Sequence, residues 1–235
     1  MSYFDDFTER STYWRWRVDN YASFSVEKSI LRMCMGPTEA LYYSNAEIAD
    51  GEFDELPWRF KTFEIRVRMT GQHFGSAGWG FWNHSMRVDL SVPIWFIYLR
   101  AYGRYPLQGF FIQVANVFLP VKLFASISRL YYGLKLFPQL APIKILSRRS
   151  LAQNLDLQKW HTYKIKWTRK NVEFYIDGEK IAAIDYTPYT NCRADVWIDN
   201  AVFIPKRGDP GHVYRHVTQE NRVKTCLEID WIRIS

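Results

Sequence analysis

The chain has 235 residues, a formal net charge of +7, 17% aromatic residues and 23% charged residues. Few disordered chains are so aromatic, which excludes a largely unstructured protein, and the length suffices to bury the core of one all-β domain. The cysteines, Cys34, Cys192 and Cys226, form no C-x-x-C pair and are odd in number. That excludes a zinc knuckle and a disulfide framework, and it leads to an expectation of free thiols in a reducing, cytoplasmic setting.

The opening MSYFDDFTER has no basic region followed by an apolar run, so no signal peptide is expected. Charge is unevenly spread. Between Asp89 and Asp156 there is no Asp or Glu, while Arg100, Arg104, Lys122, Arg129, Lys135, Lys144, Arg148 and Arg149 all fall there. The basic character belongs to that stretch. Its apolar composition and thin spread of cations point away from a nucleic-acid surface.

In chain order, Lys61–Met69 (KTFEIRVRM) alternates strictly. Phe63, Ile65, Val67 and Met69 face one way, and Glu64, Arg66 and Arg68 face the other, the pattern of a half-buried strand. Ser91–Tyr102 is strongly apolar, and Gly109–Phe118 reads as a strand. Pro120–Phe137 (PVKLFASISRLYYGLKLF) reads as an amphipathic helix. Proline suits its first turn, Leu123, Phe124, Ile127, Leu130, Tyr131 and Leu134 share a face, and Pro138 and Pro142 end it. Such a helix would cap a groove or lie on an anionic membrane surface, with Lys122, Arg129 and Lys135 at its sides. No apolar run is long enough for a spanning helix.

Trp160–Trp167 (WHTYKIKW) alternates again. Asp177-Gly178 then separates two β-prone runs, a strong type I′ hairpin signal. Asp195–Phe203 (DVWIDNAVF) and Cys226–Ile234 (CLEIDWIRI) read as further strands. Many short strands with turn signals between them predict a sandwich or jelly roll.

Four pieces, in order, resemble the laminarinase-like glycoside hydrolases of family 16 and the wider concanavalin A-like lectin-glucanase superfamily. Tyr42–Met69 is similar to the family's strand-loop-strand ending in an "fE-x-R-v" strand. Gly75–Asn83 (GSAGWGFWN) resembles its W-P-A-F-W element, one residue shorter and without the proline. Trp160–Ile181 matches its H-x-Y-x-x-x-W hairpin with a D-G turn, the most specific of the four. Ile229–Ser235 (IDWIRIS) is similar to its closing strand. The resemblance also takes in Asp5–Phe7 and stops between Asn83 and Gln158. It implies an all-β, concanavalin A-like jelly-roll β-sandwich. The reading is one domain over 1–235 with a partly helical, apolar and basic insertion at about 84–157.

The family carries E-x-D-x-x-E, or a variant one residue longer, on a strand soon after the W-P-A-F-W element. A retaining glycosidase needs two carboxylates about 5 Å apart as nucleophile and acid/base. Here that strand is expected within Gly109–Phe118, which offers Gln113 and Asn116 and no acid, so no catalytic residue is assigned.

The groove candidates are Glu64, Trp79, Trp82, Gln113, Asn116, Asp195, Trp197 and Asp199. Glu64 is weighed against a solvated cross-strand charge, and Trp79 and Trp82 against core packing. Asp195, Trp197 and Asp199 share one strand face. The partner expected is a glycan or a more apolar small molecule, with no nucleic acid. The rival reading is an enzyme using displaced residues, Asp195 and Asp199 among them. The resemblance also implies a structural Ca²⁺ at Asp230 with Asp5 or Asp6, against a plain surface carboxylate. His161 is read as structural and His212 with His216 as a loop pair. His84, Ser85 and Asp89 are discounted as a triad, since adjacency in sequence is not triad geometry.

Overall fold

The computed structural model describes residues 2–37, 42–51, 55–83, 92–100, 107–127, 144–203, 214–216 and 223–235. The first strands are β1 (Tyr3–Asp5), β2 (Trp14–Asp19), β3 (Ala22–Glu27), β4 (Ile30–Met35), β5 (Asn45–Asp50), β6 (Thr62–Met69), β7 (Gly75–Trp82), β8 (Ile94–Arg100) and β9 (Gly109–Val114). There follow β10 (Val117–Leu123), β11 (Lys144–Ile145), β12 (His161–Trp167), β13 (Val172–Ile176), β14 (Glu179–Ile184), β15 (Arg193–Asp199), β16 (Ala201–Phe203), β17 (Tyr214–His216) and β18 (Thr225–Ile234). No helix occurs among the described residues.

The first sheet runs β14-β13-β12-β6-β18-β4-β3, with β1 added to β18. The second runs β11-β10-β9-β8-β7-β15-β5-β2, and β16 pairs with β17 apart from both. One hydrophobic cluster joins the inner faces of the two large sheets. It takes Phe63, Ile65, Val67 and Met69 from β6 and Tyr163, Ile165 and Trp167 from β12, as their alternation predicts. Opposite them it takes Trp79, Phe96, Phe110 and Val196. Each such side chain, fully buried, contributes about 1.5–3 kcal/mol. The all-β jelly-roll sandwich expected from the sequence is the fold found.

The hairpin at Asp177-Gly178 forms as read. Both residues have positive φ (50° and 83°), the requirement of a type I′ turn, and β13 and β14 pair across it.

Three expectations are corrected. First, the helix does not begin at Pro120. Residues through Leu123 belong to β10, and the rest of the expected helix from 128 onward lies outside the described residues. Pro120 pairs with Phe111 where the register shifts before Lys122, and a bulge is where a sheet tolerates proline. The apolar stripe misled because β10 packs side chains on both faces: Val121 enters the main core and Phe118 a second cluster. Second, the stretch 84–157 is not an addition to the sandwich, because β8, β9, β10 and β11 are four strands of the second sheet. Third, Cys34 and Cys226 are not free thiols. They face each other in register across β4 and β18 and form a disulfide, leaving Cys192 as a buried thiol.

Candidate functional site on the outer face of the second sheet

Strand alternation divides the second sheet cleanly. On β15, Ala194, Val196 and Ile198 enter the core, so Arg193, Asp195, Trp197 and Asp199 point outward. On β7 the core takes Ala77, Trp79 and Phe81, leaving Ser76, Gly78, Gly80 and Trp82 outside. On β8 it takes Ile94, Phe96 and Tyr98, leaving Trp95, Ile97 and Leu99. On β5 it takes Ala46 and Ile48, leaving Asn45 and Glu47.

The strand that follows β7, and pairs with it from Phe81↔Ile94 to Gly75↔Arg100, is β8. The segment Gly109–Phe118, where the family's catalytic strand is expected, is the next strand along, β9, and the start of β10. The outward positions of β8 are Trp95, Ile97 and Leu99, so this strand also carries no carboxylate. These three side chains are buried in a second apolar cluster with Leu107, Phe111, Phe118 and Ile127, and Trp82 and Trp197 pack against its edge.

The tryptophans are held in place by named partners. Trp95 stands 4.6 Å from Trp197 and 5.6 Å from Trp82, centroid to centroid. Trp95 Nε1 donates to Gln113 Oε1 at 2.7 Å, and Gln113 Nε2 donates to the Ala115 carbonyl. Trp197 Nε1 donates to Ser76 Oγ at 3.0 Å. The Trp197 ring lies directly over Gly78: a Cβ there would come within 2.3 Å of the indole. Only glycine lets the ring lie against the backbone at this point.

Beyond Trp197 the face turns polar. Asp195 is 1% exposed, and among the described residues its Oδ1 has no hydrogen-bond partner. Burial, then the nearby Glu47 carboxylate, hold its carboxyl well above the usual range, against the pull of Arg193. Glu47, opposite Trp197 in register, accepts from Asn45 Nδ2 at 3.0 Å and faces Arg17 across β2. Asp199 accepts from Ser76 Oγ (2.8 Å), Ser76 N and Ala201 N. Burial still pushes it up to about 7. Behind it lies buried His73. Its Nε2 must donate to the Asp199 carbonyl, so its Nδ1 accepts from Thr225 Oγ1. Burial lowers its pKa to about 4, so the ring is neutral.

Asp195 and Asp199 lie on one face of β15 with Trp197 between them.

Of the eight groove candidates, Trp82, Gln113, Asp195, Trp197 and Asp199 converge on this face. Three do not. Glu64 is on the first sheet, facing away from the core and paired with Lys164 (3.2 Å) and Arg233. Trp79 is buried in the core against Phe96, Phe110 and Tyr163. Asn116 sits in the β9–β10 turn, where its carbonyl accepts from Lys144 N. Asp230 pairs with Arg66 at the β18 bulge. Asp5, whose strand pairs with β18 at Ile232, is buried and accepts from Trp14 Nε1, Phe7 N and Tyr3 OH. Asp6 is exposed and accepts from Thr8 N. His161 ties β12 to the hairpin turn through Asp177 and the Asp156 carbonyl, the structural role expected. His84, Ser85, Asp89 and His212 lie outside the described residues, and His216 lies in β17.

Sequence reasoning missed Glu47 and Trp95. Glu47 was legible in the alternation of NAEIAD. Trp95 was hidden because a strand buried on both faces reads as one continuous apolar run.

The family model for glycosyl hydrolases family 16 matches residues 146–194, which include the Trp160–Ile181 hairpin. Solved structures share the fold along nearly the whole chain. One is from the endo-acting O-glycanases that members of the human gut microbiota express to initiate mucin breakdown. It shows TM-score 0.64 at 13% identity, over 99% of this chain and 97% of that one. The Bacillus licheniformis β-glucanase gives 0.54 at 13%, over 100% and 97%. The κ-carrageenase from Pseudoalteromonas carrageenovora, in complex with an oligotetrasaccharide of κ-carrageenan, gives 0.55 at 12%, over 98% and 92%. No curated protein matches the sequence. The chain thus shares the β-sandwich fold of these glycan-active proteins, and residues 146–194 match the family 16 model. The resemblance read from its motifs holds, and it is firmest over 146–194.

Proposed function

We propose that the protein binds a glycan on the outer face of the second sheet without hydrolysing it. The observation that carries this reading is the Trp197 indole, laid on Gly78 beside the acceptors of Asp195, Glu47 and Asp199. An indole face stacks on the apolar face of a sugar ring, and buried carboxyl and amide oxygens accept from its hydroxyls. The fold's relatives include structures described as β-glucanase and κ-carrageenase, which supports a glycan as the ligand class. Non-hydrolysis rests on β8, whose outward residues are indole and aliphatic and mostly buried.

The rival reading is an enzyme with displaced residues. One observation favours it: Asp195 and Glu47 are neighbouring carboxylates, one with its pKa pushed up, on adjacent strands. A single set of experiments separates the readings. Laminarin and lichenan are titrated into the protein, and reducing ends are counted. Binding without new reducing ends, weakened about tenfold by Trp82→Ala, is expected, tenfold being about 1.4 kcal/mol. Turnover abolished by Asp195→Asn would establish the enzyme instead. The disulfide supports an oxidising compartment in place of the reducing one first expected.

A further inference from the structure

Outside the groove, the surface at the start of β15 carries a second cluster. The chain before β15 runs beside residues 58–60: Trp58 and Cys192 exchange backbone hydrogen bonds at 2.9 and 2.8 Å. This brings Phe60 against Tyr189, with centroids 5.2 Å apart and an interplanar angle of 80°. Two guanidinium groups stack on the same Phe60 ring, Arg59 at 5.5 Å and Arg169 at 5.7 Å from its centroid. Arg59 also donates to the Tyr189 carbonyl, and the Tyr189 hydroxyl donates to the Arg169 carbonyl, so both arms of the cluster are tied to one loop.

Tyr189 is 62% and Tyr186 47% exposed. Both arginines are exposed, and among the described residues neither forms an ion pair. Two like charges are thus gathered around one ring at the surface, with no carboxylate of the described residues paired to either. Planar guanidinium forks stacked on an aromatic are suited to grip an oxyanion in two-point fashion, while an exposed phenol ring offers a sugar a stacking face. The cluster adjoins the groove. Asn83, next to Trp82, donates to the Asn191 carbonyl, and Arg193 pairs with Trp82 in register.

We propose that Arg59, Phe60, Arg169 and Tyr189 form an anion-recognition subsite for a sulfate- or carboxylate-bearing sugar of a glycan that leaves the groove at Trp82. The placement rests on the groove reading, but the test does not. The probes share one backbone: dextran, dextran sulfate and carboxymethyl-dextran. The protein should bind the two anionic polymers, more weakly as salt rises, and should not bind dextran; the tighter of the two names the preferred group. Arg59→Gln with Arg169→Gln should cost at least about tenfold in that binding while leaving laminarin binding unchanged. Arg59→Lys with Arg169→Lys keeps the charge and loses the stacked fork, so it should fall between. Lys28→Gln with Lys224→Gln removes the same charge from exposed positions elsewhere and should cost less than about twofold.

An unchanged affinity in the Arg59/Arg169 double variant overturns the subsite. So does an equal loss in the Lys28/Lys224 control, which would make the effect one of net charge. A single-stranded oligonucleotide bound as tightly, and lost in the same variant, overturns the glycan assignment. Loss of laminarin binding through Trp82→Ala reports on the groove alone, so either reading can fail without the other.

Discussion

The outer face of the second sheet has two halves that share a backbone and differ in everything else. On β8 and β9 the outward residues include Trp95, Ile97, Leu99 and Phe111, buried among further apolar side chains, with Gln113 bonded to the Trp95 indole. On β15 and β5 they are Asp195, Asp199, Asn45 and Glu47, with the arginines of β2 alongside. Trp197 stands on the seam, its ring against Trp95 and its Nε1 on Ser76, which also serves Asp199. A sheet fixes which positions point outward and leaves open what they carry. Here one half is packed like a core and the other retains polar groups that solvent or a ligand must satisfy. The chemistry of such a sandwich therefore has to be read strand by strand.

The largest expected effect comes from putting a charge into the apolar half. Leu99→Asp places an unpaired carboxylate at a site 3% exposed, and should cost about 3–5 kcal/mol. Urea denaturation measures it; a loss under about 1 kcal/mol would mean that this half is open to water. Next is Gly78→Ala, whose Cβ would meet both the Trp197 ring and, at 2.8 Å, the Phe96 carbonyl. It should cost about 1–3 kcal/mol and should displace the Trp197 indole, seen as a shift of its fluorescence.

A subtler effect is pH dependence. Asp199 has its pKa raised to about 7, so the folded state holds its proton longer than the unfolded state does. Its contribution to stability is present in acid and is lost as pH rises from about 4 through 7. His73 is depressed to about 4, so the unfolded state binds the proton more readily, and its contribution is lost as pH falls from about 6.5 to 4. The two oppose each other over that window. In Asp199→Asn the histidine acts unopposed, and the melting temperature relative to wild type should climb with pH between 4.5 and 7, flattening above it. A constant difference across the range would remove Asp199 from the account. The smallest effect is outside the face altogether: Glu64→Gln on the first sheet should change stability by less than about 1 kcal/mol and leave glycan binding untouched.

Much of this was legible in the sequence, for reasons that also explain the rest. β6 and β12 announce themselves because one face is core and the other is charged. The D-G turn does so because few residues accept positive φ. Asp195, Trp197 and Asp199 were found together because period two puts them on one side. β8 and β10 defeated the same logic. Both bury side chains on each face, so their apolar residues lose the alternation, and in β10 the remnant mimics a helical stripe. The disulfide was invisible to cysteine counting because Cys34 and Cys226 are brought together by the pairing of β4 with β18, across a separation of 192 residues.

The account stands on a ligand meeting the polar half and its seam, not the filled half. Indole ¹⁵N–¹H resonances report this directly, since Trp197, Trp82 and Trp95 occupy the seam, the edge and the interior of one aromatic row. Titration with laminarin-derived oligosaccharides should shift the Trp197 and Trp82 signals and leave Trp95, bonded to Gln113, unmoved. A Trp95 shift with Trp197 unmoved would place the ligand on β8 and contradict the division of the face.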